Sequence, residues 1–217
     1  MRCFFDTYPA IVNAAFLAIT LLSVAETRAG DSPAFRADAK RVTVFRADEA
    51  EVDIGMFASF EVGHTIQRPA IDYELQTVRL GWMLGDVGGS GIWRGNGEFL
   101  LGAYGGPVTQ GPGNGLFGWE FILRYNFLPE HSRFRPFAQI GAGGLYNDIY
   151  KTGSQIVIGS GFEFMIHAGF GTHIMLGDHW ALNLEADFRH ISNADTASRN
   201  GGLNSLGGTL GFSYFFH

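Results

Sequence analysis

Residues 117–127 read FGWEFILRYNF, and the order of these side chains decides the fold. The odd positions, Phe117, Trp119, Phe121, Leu123, Tyr125 and Phe127, are all apolar or aromatic, while Glu120, Arg124 and Asn126 fall between them. Successive side chains of an extended chain point to opposite faces, so this stretch is a strand with one greasy and one polar face. The pattern recurs in both directions along the chain. From 51 to 63 the even positions are Val52, Ile54, Met56, Ala58, Phe60 and Val62, whereas Glu51, Asp53, Ser59 and Glu61 are odd. From 162 to 176, Phe162, Phe164, Ile166, Ala168, Phe170, Ile174 and Leu176 oppose Glu163, His167 and His173. Eight segments alternate in this way: about 51–63, 72–84, 92–104, 116–128, 134–146, 159–176, 180–193 and 205–216. The second slips phase near Thr77, where Glu74 and Gln76 share parity with Val78 and Leu80, and a β-bulge is expected there.

Composition agrees with strands and excludes several classes. The 217 residues include 31 Gly and 20 Phe; Gly costs about 1 kcal/mol at an interior helix position relative to Ala, which disfavours a helical bundle. With 46% hydrophobic residues the chain has ample surface to bury, so disorder is excluded. The single cysteine, Cys3, rules out a disulfide framework and a thiolate metal cluster. A formal charge of −6 argues against nucleic acid as a partner.

The sidedness of the strands separates two all-β readings. A soluble ligand-binding barrel would hide its aromatics and show its charges. Here the apolar faces are too aromatic and too continuous over eight strands for a core of this size. The opposite faces carry balanced charge: Asp53, Glu61, Glu98, Glu120, Glu163, Glu185 and Asp187 against Arg79, Arg94, Arg124, Arg135 and Arg189. The expected fold is therefore an eight-stranded antiparallel transmembrane barrel of the outer-membrane kind, apolar outside and polar within. Closure would satisfy every backbone group, as hydrocarbon demands.

The N-terminus fits export to that membrane. An apolar run from Ala10 to Ala25 ends in small residues, so residues 1–25 read as a signal peptide, with a second cleavage site after Ala29. Residues 26–50 then read as a periplasmic arm or an extra strand, and 51–217 as the barrel domain. The links after strands two, four and six, Gly85–Ser90, Pro129–Arg133 and Gly177–His179, read as short periplasmic turns, with the outer loops after the odd strands.

Strand seven departs from the apolar rule at its outer end. Its even positions run Trp180, Leu182, Leu184, Ala186 and Phe188, then His190 and Ser192. A His and a Ser two apart on one face can form a base–nucleophile pair. The plain alternative is two polar residues at headgroup level.

The segment Arg189-His190-Ile191-Ser192-Asn193-Ala194, followed by Asn200-Gly201-Gly202-Leu203-Asn204-Ser205 and a closing aromatic strand, resembles the signature of the PagL family of lipid A 3-O-deacylases. The likeness is specific over about 189–216, and the eight-strand plan extends it loosely to the whole chain. The resemblance implies hydrolysis of the ester-linked 3-position acyl chain of lipid A, in the outer leaflet of a Gram-negative outer membrane. It implies Ser192 as nucleophile, His190 as general base and acid, and Asn193 as an oxyanion donor. It implies no cofactor and no metal. Where relatives place an acidic residue, this chain has Asn204, which shares the outward parity of Leu206, Leu210, Phe212, Tyr214 and Phe216. An amide can orient an imidazole but stabilises its cation poorly; Asp195 is the candidate substitute acid.

Two function classes follow: a lipid A deacylase, and a non-catalytic barrel with a degenerate triad and a structural or surface-binding role. Lipopolysaccharide and the membrane are the expected partners, with a second copy of the chain as a candidate. His167 and His173, inward with Glu163, read as a lumen hydrogen-bond network in preference to a metal site. Lys151 and Arg199 read as outer-loop surface charge in preference to phosphate ligands. The glycine runs at 95–97 and 111–115 lack the following helix of a phosphate loop.

Overall fold

Each of the eight alternating segments forms a strand in the computed structural model, which describes residues 44–65 and 68–216. The strands are β1 (Ala50–Glu61), β2 (Asp72–Met83), β3 (Gly95–Gln110), β4 (Gly115–Phe127), β5 (Phe134–Asn147), β6 (Phe162–Met175), β7 (Trp180–Ser192) and β8 (Leu203–Phe216). Each pairs antiparallel with the next, and β1 pairs with β8 from Ala50↔Phe216 to Glu61↔Ser205, closing the barrel. The signal segment and most of the expected arm lie outside the described residues.

The sidedness is that of a membrane barrel. Phe117, Phe121, Ile140, Ile166, Phe170 and Phe212 stand exposed on the outer surface, Phe170 at 69%. Inside, three buried arginines meet carboxylates. Arg79 donates through Nε to Glu120 (3.1 Å) and through both terminal nitrogens to Glu185 (2.9 and 3.2 Å). Arg124 faces Glu51 and Glu98, each at 3.5 Å, and Arg189 lies over the Phe57 ring at 4.1 Å. His167 sits between Asp187 and Glu120, and His173 bonds Asn183 at 2.7 Å, so both histidines belong to this lumen network. A soluble barrel with aromatics inside and charges outside is thereby excluded.

Glycines make room for the ionic layer. A methyl group on Gly81 would fall 2.3 Å from Glu98 Oε1, and one on Gly102 would fall 2.8 Å from Glu120 Cγ. Removing one partner of a buried ion pair costs about 3–5 kcal/mol, because the remaining charge stays buried and unpaired. Arg79→Met is accordingly expected to lower the unfolding free energy of the barrel in vesicles by that margin, read as a fall in the urea midpoint. An unchanged midpoint would show that the arginine network does not hold the strands.

Apolar layers close both ends of the ionic lumen, a feature the alternating pattern did not predict. At the end bearing the barrel termini, Val44 and Phe45 pack with Met83, Leu128, Met175, Ala181 and Phe215. The Phe45 ring lies 4.9 Å from that of Phe215, and Asn96 Nδ2 donates to the Phe45 carbonyl at 2.9 Å. At the other end Phe57, Tyr73, Leu75, Tyr104, Leu116, Leu145 and Ile149 form a second cluster inside the barrel mouth.

This second layer explains the apparent phase slip in β2. Thr77 stays in register with Gly55 and Tyr104, so the expected bulge is absent there; the irregularity lies at Asp72/Tyr73. Tyr73 and Leu75 point inward and Glu74 and Gln76 outward. Polarity inverts because the strand end has an apolar interior and polar surroundings, while the alternation of faces continues.

Connection length does not orient the barrel as simply as expected. Residues 91–93 wind into a 3-10 turn, so β3 starts at Gly95 and the link after β2 is 84–94 rather than a tight turn. At the opposite end β3 and β4 run on until only 111–114 separate them, against 148–161 and 193–202 for the later loops.

Candidate active site

The outward face of β7 delivers His190 and Ser192 to the end of the barrel opposite its termini. At about 3.3 Å per residue and a tilt near 40°, the run from Trp180 to Ser192 spans roughly 30 Å of barrel height, one hydrocarbon thickness. Register sets the neighbours. His190 pairs with Ile166 on β6 and with Asn204 on β8, and Ser192 pairs with Phe164. The exposed side chains Phe164, Ile166, Phe188 and Leu206 surround the pair, so the polar groups sit in an apolar field.

Asn204 is the residue that meets the imidazole. Its Oδ1 lies 2.7 Å from His190 Nδ1. An amide oxygen only accepts, so Nδ1 is the donor of this bond, which in the neutral ring leaves the lone pair on Nε2, the tautomer a general base needs. The Asn204 backbone is itself fixed, its carbonyl accepting from Val62 N–H at 2.8 Å. No hydrogen bond joins Ser192 to His190 among the described residues.

The other two candidates lie elsewhere. Asn193 continues the inward parity of Arg189 and Ile191, and its side chain is fully buried. Its Nδ2 donates to the Arg199 carbonyl (2.8 Å), and its N–H to Asn200 Oδ1 (2.9 Å). The carboxamide is committed inside the loop and does not reach the outer face, which corrects its expected role as an oxyanion donor. Asp195 accepts from Asn200 Nδ2 at 2.7 Å and makes no bond to His190. It therefore buttresses the loop instead of replacing the missing acid.

The loop after β7 is rigidly tied. Arg199 donates to the carbonyls of Tyr150, Thr152 and Gln155 at 2.6–3.0 Å, so it knits loop 193–202 to loop 148–161 and is not a free surface charge. Gly201 and Gly202 N–H groups donate to Ile156 and Val157 carbonyls at 2.9 and 3.1 Å. Asp148 links the second loop to 111–114: hydrogen bonds from Asn114 N–H, the Asn114 amide and Gly115 N–H hold its carboxyl down at about 2. Asn200 and Gly202 stand in the segment that resembles the family signature, but the sequence assigned them no role. The signal was the Asn-Gly-Gly run before β8, a turn composition whose contacts depend on a distant loop.

Two backbone donors lie two and three residues beyond the serine. Ala194 and Asp195 both adopt left-handed conformations, with φ of 52° and 63°, uncommon for residues with a Cβ. Neither N–H is used in a hydrogen bond among the described residues. Successive free N–H groups of this kind can receive a developing negative charge.

Residues 71–213 match the family model described as Lipid A 3-O-deacylase (PagL). Among solved structures the chain is similar to the outer membrane enzyme PagL at 19% identity, with 77% of this chain and 99% of that chain covered and a TM-score of 0.47. It is similar also to the N-terminal β-barrel domain of Pseudomonas aeruginosa OprF, at 16% identity, 78% and 98% coverage and a TM-score of 0.47. Neisserial surface protein A gives 13% identity, 77% and 94% coverage and a TM-score of 0.46. No functional assignment rests on these structural likenesses. No curated protein matches the chain.

Proposed function

Because the chain belongs to the lipid A 3-O-deacylase (PagL) family, whose model covers residues 71–213, we propose that it hydrolyses the ester-linked acyl chain at the 3-position of lipid A, with Ser192 and His190 as its catalytic residues. One observation supports the reading: on the outward face of β7, two residues from Ser192, the His190 imidazole has Nδ1 2.7 Å from Asn204 Oδ1. A bilayer-embedded ester cannot enter a lumen closed at both ends, so groups that attack it belong on the outside.

The steps use this chain's own residues. Rotation about the Ser192 side chain brings Oγ to His190 Nε2, which takes the proton as Oγ attacks the ester carbonyl. The Ala194 and Asp195 N–H groups, unbonded among the described residues, are the donors proposed to receive the oxyanion. Collapse breaks the bond to the sugar oxygen, and His190 returns the proton to that leaving hydroxyl. Water, activated by the same Nε2, then releases the fatty acid and restores Ser192. Asn204 fixes the ring throughout and supplies no charge.

The proposal places the protein in the outer membrane, with the β7–β8 loop end in the outer leaflet. The apolar segment 10–25 acts as the export signal, and the 26–50 arm lies on the periplasmic side. A non-catalytic barrel is the second reading; the amide at position 204 and the unmade Ser192–His190 bond favour it. Purified protein in detergent micelles, given purified lipid A, separates the two. Release of a 3-hydroxy fatty acid by wild type supports the enzyme, and no release from wild type supports the second reading.

A further inference from the structure

Loop β1–β2 meets the loop between β7 and β8, its neighbour on the rim, through one side chain. Arg68 Nη2 donates to the Gly201 carbonyl and, at 2.7 Å, to the Gly202 carbonyl. The N–H groups of the same two residues are held from the other side by Ile156 and Val157. The Gly201–Gly202 backbone is thus clamped on both faces, its carbonyls by a cation and its N–H groups by the neighbouring loop.

Gly202 is also the residue that backs His190. It adopts φ +71°, and a methyl built on it would lie 2.9 Å from His190 Cε1, with both ring nitrogens beyond 3.5 Å. The ring is thereby bonded at Nδ1 by the Asn204 amide and lies so close to Gly202 that any side chain there would crowd Cε1. We propose that Arg68 is a positioning residue for the reaction: by clamping the Gly201 and Gly202 carbonyls it fixes Gly202 beside His190 and so limits the positions the imidazole can take.

The inference rests on the catalytic reading above, yet its geometric part can be tested without turnover. Arginine suits the role because one nitrogen, Nη2, presents two protons fixed in the guanidinium plane to the two carbonyls, whereas a lysine ammonium is a compact, freely rotating point donor. Misplacing a reacting group by about 1 Å can cost roughly 100-fold in rate. Loss of the clamp is therefore expected to act on kcat while leaving substrate affinity in place.

The experiment compares wild type, Arg68→Met, Arg68→Lys and Gly202→Ala as full-length proteins in detergent micelles, with folding checked by heat-modifiable gel migration. The first readout is the His190 Cε1–H resonance, assigned by its loss in His190→Gln. Arg68→Met is expected to shift and broaden that signal, and to lower kcat for fatty-acid release about 10- to 100-fold with KM within about threefold. Arg68→Lys recovers part of both, and Gly202→Ala moves the resonance through its added methyl. If Arg68→Met does not fold, the Lys and Ala variants carry the comparison. An unmoved resonance with unchanged kcat would overturn the inference. So would a raised KM with kcat and resonance unchanged, since Arg68 would then be a substrate contact. Should wild type release no acid, the proposed activity fails, but the resonance still decides the positioning role.

Discussion

Replacing Asn204 with aspartate is expected to raise kcat for lipid A deacylation about 10- to 100-fold. Asn and Asp have the same shape, and Oδ1 already lies 2.7 Å from His190 Nδ1, so the change adds a charge without moving an atom. The gain arises because the ring becomes a cation as it takes the Ser192 proton, and a carboxylate stabilises that cation where an amide does not. The converse acid-to-amide exchange in a serine protease costs about 10⁴-fold, which sets the ceiling. The estimate stays below it because a site at headgroup level is more open to water and its charges are better screened. KM should be unchanged within about threefold, since Asn204 touches the imidazole and not the lipid. An Asp variant no faster than wild type would show that orientation alone limits the base, or that proton transfer is not rate-limiting.

Ser192→Ala is expected to reduce fatty-acid release more than about 10³-fold, with His190→Gln falling to a similar level and the double variant no lower. Groups that act as one nucleophilic unit give non-additive losses, because removing either member disables both. A lipophilic fluorophosphonate offers a second readout, since it modifies an activated serine irrespective of turnover. Wild type should form one adduct on Ser192, and His190→Gln should form none at the same exposure. Additive losses, or an adduct at another serine, would assign the chemistry elsewhere. Neither variant should alter folding, because both side chains sit on the outer face, outside the buried ionic network.

Much of this was legible in the residues themselves, for a physical reason that also marks where legibility ends. Period-two alternation is a property of each strand alone, so Phe117–Phe127 announces β4, and the parity of Trp180 to Ser192 puts His190 and Ser192 outside. Asn204 was reached through the family resemblance, its outward parity agreeing, and only the strand register shows that it stands opposite His190. Asn193 shows what happens when a resemblance is given priority over parity. Its odd position already pointed inward, where the structure finds it bonded to the Arg199 carbonyl. The slip at Thr77 was misread as backbone geometry because alternation assumes one environment along the strand, whereas the interior of β2 passes from Arg79 to Leu75 and Tyr73. The contacts of Arg68, Asn200 and Gly202 were not legible at all. They join loops more than a hundred residues apart in the case of Arg68, and no local pattern encodes such a pairing.

The central claim is that a serine on the lipid-facing wall of a sealed barrel removes one ester-linked chain from lipid A. The most direct test is tandem mass spectrometry of lipid A from a Gram-negative host without a 3-O-deacylase of its own, expressing wild type or Ser192→Ala. The account predicts that wild type alone yields a species lighter by a single 3-hydroxyacyl group, with fragmentation locating the loss at the 3-position. Lipid A of unchanged mass, loss of a chain from another position, or the same loss in the alanine variant would contradict it.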